Sequence, residues 1–162
     1  MPIYFRYLQP PQIKRELMPL ASLVIRKCSD MKAKVREASI NFCLHLSHQS
    51  PIGPETMVDH VLAELQSIDK KPSDKLPTDK SSQNYSNNNL VASCLQLLCQ
   101  LQQQTNIVSQ PDSQMFNEYM NQTNIGLRNQ NNAVKKQAEI LFKLLFAEFG
   151  EQALKRLEGQ KP

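Results

Sequence analysis

Residues 30–47 read DMKAKVREASINFCLHLS, and this stretch decides the fold. A short polar turn is followed by a run without Gly or Pro that is long enough for a helix. Apolar and small side chains recur at three- and four-residue spacing, which is typical of a helix with one buried face. The predicted buried stripe contains Val35, Ala38, Ser39, Phe42 and Leu46.

Three cations crowd the start of this helix: Lys32, Lys34 and Arg36. A helix dipole places partial positive charge at the N-terminus, so cations there lower helix stability. Two interpretations follow from this arrangement. Either the turn is a solvated connection before a core helix, or the cations are kept there because a partner needs them.

The rest of the chain divides into further helices and one polar segment. Residues 69–89 read DKKPSDKLPTDKSSQNYSNNN, which buries too little to offset the entropy of ordering, so we predict a disordered loop. The other predicted helices cover residues from about 12 to 27, from 54 to 67 or 68, from about 89 into the polar tract 100–104, from 111–113 to 126–128, and from the turn at 129–132 to about 149.

We expect one domain in three parts. Residues 1–68 contain the first hairpin and the first helix of the second hairpin, residues 69–89 form the loop, and residues 90–162 contain the remaining helices.

The composition points away from an enzyme. Ten Pro, only four Gly, and many Gln and Asn argue against a compact α/β enzyme. The chain has no GxGxxG, P-loop or HExxH motif. His45 and His48 have a spacing that allows them to share a helix face, but no further metal ligand stands at a suitable distance in sequence. We therefore predict no catalytic residue, no metal site and no cofactor.

Cysteines and charge restrict the location and the partners. None of the four cysteines forms a CxxC pair, so we expect buried free thiols, which fits a reducing compartment such as the cytoplasm. No apolar run is long enough to span a membrane. A net charge of +4 favours an acidic partner, but it falls short of the dense Lys/Arg pattern of a dedicated nucleic-acid binder.

The opening of the helix at 30–47 recurs near the end of the chain. In both places a polar residue opens a short turn, a valine follows five residues later, a cation comes next, and the same apolar spacing continues. The matched residues are Asp30, Val35, Arg36, Phe42 and Leu46 with Asn129, Val134, Lys135, Leu141 and Leu145. Leu90 or Val91 takes the corresponding place in the fourth helix. Self-similarity at about 40 to 47 residues with two helices per unit is typical of the HEAT and armadillo class.

The residues of these turns resemble one family within that class. DMKAKVREAS and NQNNAVKKQA are similar to the turn and second-helix start of HEAT repeats. The Asp or Asn opening followed by Val-Arg or Val-Lys resembles the TOG subgroup, as does LLFAEFG at residues 144–150. TOG domains are HEAT arrays that bind tubulin through one edge, formed by the turns within the repeats. The resemblance thus implies an all-α fold, an α-solenoid of about three HEAT-like hairpins, with tubulin or a similar acidic protein as partner.

The resemblance and the row of cations together predict one binding edge. Its predicted residues are Lys32, Lys34, Arg36, Arg128, Asn131, Lys135 and Lys136. TOG-like segments also occur in ciliary-tip proteins and in the non-catalytic part of a mitogen-activated protein kinase kinase kinase, so a generic scaffold module of a large signalling protein is the first alternative. A nucleic-acid-binding helical repeat is the second, because a row of cations also suits phosphates. We expect a cytoplasmic protein, associated with the cytoskeleton, with no small-molecule substrate and no membrane partner.

Overall fold

The computed structural model describes residues 10–48, 52–69 and 80–159. Within these ranges the chain forms helices and no strands, which confirms the all-α fold class. The helices are α1 (Pro10–Lys27), α2 (Ala33–Ser47), α3 (Gly53–Asp69), α4 (Lys80–Thr105), α5 (Gln114–Arg128), α6 (Asn132–Phe149) and α7 (Glu151–Gly159).

Part of the segment that the sequence predicted to be a disordered loop is helical. Helix α4 begins at Lys80 rather than at residue 89, and α3 ends at Asp69, so the prediction is wrong for residues 69 and 80–89. Residues 70–79 lie outside the described residues, as do 1–9, 49–51 and 160–162. The physical reason is cooperativity: once the apolar half of α4 forms, each further turn adds backbone hydrogen bonds without a new nucleus, and residues 80–89 contain no Pro or Gly to stop it.

Helix α4 occupies the centre of the fold. It packs against α2, α3, α5 and α6. Each leucine that it buries completely contributes roughly 1.5–3 kcal/mol relative to an exposed one. The buried side chains on its apolar half are Cys94, Leu95, Leu97, Leu98, Cys99 and Leu101.

Helix α2 buries only part of the predicted stripe, namely Ser39 and Leu46. Phe42 remains 39% exposed and Ala38 is exposed, whereas Ile40, Cys43 and Leu44 are buried. The sequence is apolar on more than one side of this helix, so periodicity alone does not select the buried side. Contacts with α1, α3 and α4 select it, because these neighbours surround the side that carries Cys43.

Helices α2 and α4 run parallel. Ser93 Oγ in α4 donates to the backbone oxygen of Cys28, the first residue after α1 in the turn that leads to α2, at 2.6 Å. Beyond the last residue of α2, His48 Nε2 lies 3.0 Å from Gln104 Oε1 in the last turns of α4. The turn between α1 and α2 therefore lies beside the part of α4 around Ser93.

Helices α4 and α6 are parallel as well. Gly126, near the end of α5, packs closely between Leu95 of α4 and Ala138 of α6. Farther along both helices, Gln102 Nε2 donates to Glu148 Oε2 at 2.9 Å. The α1–α2 and α5–α6 turns thus lie at the same end of the fold, as in stacked helical hairpins, although winding into a solenoid stays a prediction.

Candidate protein-binding rim

The turn between α1 and α2 is held by hydrogen bonds from the residues that follow it. The backbone N–H of Lys32 donates to Asp30 Oδ1 at 3.0 Å, and this bond lowers the pKa of the Asp30 carboxyl below its usual value. Arg36 Nη1 donates to the backbone oxygens of Asp30 and Met31, at 2.8 and 3.0 Å. Arg36, a predicted partner contact, thus helps to hold the turn in place.

The turn between α5 and α6 has the same construction. The backbone N–H of Asn131 donates to Asn129 Oδ1 at 2.8 Å, two residues apart as in the first turn. Asn131 Oδ1 then accepts from the N–H groups of Ala133 and Val134, at 2.9 and 3.3 Å, and caps α6. The sequence repeat therefore corresponds to a repeat of turn geometry, and Asn131 is a helix cap within it.

One position differs between the two turns in its helix cap and in its charge. Lys32 occupies the N-cap position of α2, equivalent to Asn131 in α6, with an extended backbone (φ −81°, ψ 118°) and no side-chain cap. A good N-cap residue contributes about 1 kcal/mol to helix stability. The chain forgoes this stabilisation at Lys32 and places a cation there instead.

Four lysines at the starts of α2 and α6, which follow these turns, have no ion-pair partner among the residues that the structure describes: Lys32, Lys34, Lys135 and Lys136. Lys135 is half-buried and the other three are exposed. We call Lys32 and Lys34 the first corner, Lys135 and Lys136 the second corner, and the end of the fold that carries both the rim.

Two neighbouring cations on the rim, Arg26 and Lys27, form ion pairs, unlike these four lysines. Arg26 Nε donates to both carboxylate oxygens of Glu64, at 3.2 and 3.0 Å, and Lys27 Nζ lies 3.5 Å from Asp30 Oδ2. Arg128, the last residue of α5, is exposed beside the second corner. All seven predicted residues therefore lie at the rim, but Arg36 and Asn131 contribute to the turns themselves.

The rim also contains a groove that the sequence did not reveal. It has a volume of about 660 Å³ and lies between the α1–α2 turn, the last turn of α3 and α4. Met31 stands at this groove with 87% of its surface exposed. Its position in a turn gave no periodic signal that would have separated it from an ordinary loop residue.

Three other features of the described parts of the chain bear on function: metal ligands, cysteines and apolar helices. No three His, Cys, Asp or Glu side chains come together there as metal ligands. The four cysteines are free and buried, as predicted, and burial raises the pKa of Cys99 to about 12, so this thiol stays protonated. None of the helices searched in these ranges combines the length and apolar character that a bilayer crossing requires.

Comparisons with protein-family models, with curated proteins and with solved structures found no match. The resemblance to HEAT and TOG repeats therefore stays a prediction. The rim is defined by the chain's own hydrogen bonds and charges.

Proposed function

We propose that this chain is a non-catalytic protein-binding module of the HEAT type, TOG-like in its turns, that binds an acidic protein through the rim. Tubulin is the partner that the resemblance favours, and a cytoplasmic, cytoskeleton-associated location belongs to the same proposal. The observation that carries the proposal is the presence of four lysines at the starts of α2 and α6, after two turns of the same construction, with no ion-pair partner among the described residues.

The charges on the rim explain why a partner should be acidic. Lysines at the start of a helix oppose its dipole, and Lys32 replaces a capping residue, so both features lower the stability of the free chain. An acidic surface compensates for this when it approaches the corners. Complementary charge of this kind also accelerates encounter and excludes partners of the wrong sign.

The proposed partner is tested by direct competition. Purified αβ-tubulin is titrated against the labelled protein in low salt, and the titration is repeated with excess duplex DNA. We expect saturable tubulin binding that the DNA does not displace. Tighter binding of the DNA would favour the nucleic-acid alternative, and an absence of tubulin binding would leave a generic scaffold module.

Lys32→Asn separates the role of the rim from the stability of the fold. Asparagine is the residue that the chain itself uses at the equivalent position of α6, where it caps the helix. We expect the free energy of unfolding to rise by about 0.5–1 kcal/mol, because α2 gains a cap. Tubulin affinity should fall at the same time, because the first corner loses a cation.

Denaturant unfolding and a tubulin titration of the same preparation measure both effects. The control is Lys143→Asn, which removes an exposed cation from the middle of α6. It should leave tubulin affinity unchanged. Equal tubulin affinity of Lys32→Asn and the wild type would contradict a binding role for Lys32.

A further inference from the structure

We propose that the groove beside the first corner binds a segment of the acidic partner in which a carboxylate neighbours an apolar side chain. This inference rests on the proposed function and extends it, because it assigns the groove a share of the recognition. The α1–α2 turn, the end of α3 and α4 form its walls, so one docking site spans two hairpins.

The charges in the groove select a carboxylate. Its two acidic residues are already paired, Glu64 with Arg26 and Asp30 with Lys27. Lys32 also lines the groove, and no carboxylate of the described residues pairs with it. The surplus charge is therefore positive, and an incoming carboxylate is the group that neutralises it.

The apolar part of the groove selects the neighbouring side chain. Met31 is largely exposed, and the half-buried Ile68 and Leu90 lie on the opposite walls. The backbone of Met31 does not move freely, because Arg36 Nη1 holds its carbonyl oxygen at 3.0 Å. A flexible, polarizable methionine side chain on a fixed backbone adapts to an apolar group of a partner.

Met31→Ser tests the apolar contact with tubulin as the probe. We expect the dissociation constant to rise about tenfold, the effect of truncating one well-seated interface side chain. Met31→Leu should keep affinity within about twofold, because it retains the apolar volume. The matched control is Leu23→Ser, which removes a side chain that is 61% exposed on α1 and does not line the groove. Met31→Ser could bind tubulin as tightly as the wild type while charge reversal at the corners still abolishes binding. This result would overturn the proposed role of the groove and leave the proposed role of the rim unaffected.

Two short fluorescent peptides test the groove independently of tubulin. Both consist of glutamate, with leucine at the centre of one and serine at the centre of the other. The wild type should bind the leucine peptide more tightly, and Met31→Ser should remove the difference. Equal binding of the two peptides, or binding of neither, would overturn the inference even if tubulin binds elsewhere on the rim.

Discussion

Replacement of Lys32, Lys34, Lys135 and Lys136 by glutamate should abolish binding of the acidic partner while helix content stays unchanged. Each substitution exchanges an attraction for a repulsion. An exposed ion pair contributes about 0.2–1 kcal/mol, so four reversals weaken binding by roughly 2–8 kcal/mol. A loss of about 4 kcal/mol, within this range, lowers the affinity about a thousandfold. Titration with purified tubulin measures the loss, and far-ultraviolet circular dichroism checks the helices.

A matched variant reverses four exposed cations away from the rim and so carries the same net charge. These are Arg15 in α1, Lys143 in α6, and Lys155 and Arg156 in α7. When both variants are titrated in about 0.1 M salt, its tubulin affinity should stay within about tenfold of the wild type, because only the long-range part of the attraction changes, and this salt concentration screens that part within about 10 Å. Similar losses in both variants would show that net charge, and not the rim, governs the interaction.

Gly126→Val should destabilise the fold by about 3 kcal/mol or more. A Cβ atom at this position would stand 2.7 Å from Ala138 Cβ and 3.0 Å from Leu95 Cδ1, and the first distance is shorter than real Cβ atoms tolerate. Helices α5 and α6 must separate to admit the side chain, and overpacking of this kind typically costs about 1–3 kcal/mol, or more when backbone has to shift. For a chain of this size each kcal/mol lowers the melting temperature by about 2–4 °C.

The control for this substitution is Gly159→Val, at the end of α7, where an added Cβ meets no atom of the described residues within 4 Å. It should change stability by less than about 0.5 kcal/mol. The second corner depends on the α5–α6 packing, so Gly126→Val should also weaken tubulin binding under conditions where the first corner is still folded. A melting temperature equal to the wild type would contradict the close packing of α5 on α6.

The three- and four-residue spacing of apolar residues predicted the helices well, because a helix with one buried side leaves a clear periodic signal in the sequence. Val134, Ala138, Leu141 and Leu145 of α6 are all fully buried, as their spacing indicated. The signal fails where a helix is apolar on two sides. Leu23 of α1 is also apolar, yet it is 61% exposed, because α2 and α3 cover the side that carries Ala21 and Ile25.

Polar residues show most clearly what sequence reasoning could not reach. The sequence places Gln102 in a polar tract that ends α4, but its side chain is buried. Gln102 Nε2 donates to the backbone oxygen of Val108 at 3.0 Å, and Gln102 Oε1 accepts from the backbone N–H of Val108 at 2.9 Å. Arg36 and Asn131 were correctly placed at the turns, but only their hydrogen bonds show that they hold the turns together. Long-range partners of polar side chains leave no periodic trace in a sequence.

The rim is tested most directly by titrating purified tubulin against the wild type and two corner variants. One variant carries Lys32→Glu and Lys34→Glu, and the other carries Lys135→Glu and Lys136→Glu. If the corners share one rim and bind one partner, each variant should lose roughly 1–4 kcal/mol of binding free energy, which is about fivefold or more in affinity. The wild type should bind at a single stoichiometry. Full affinity in either variant would contradict the rim as one binding surface.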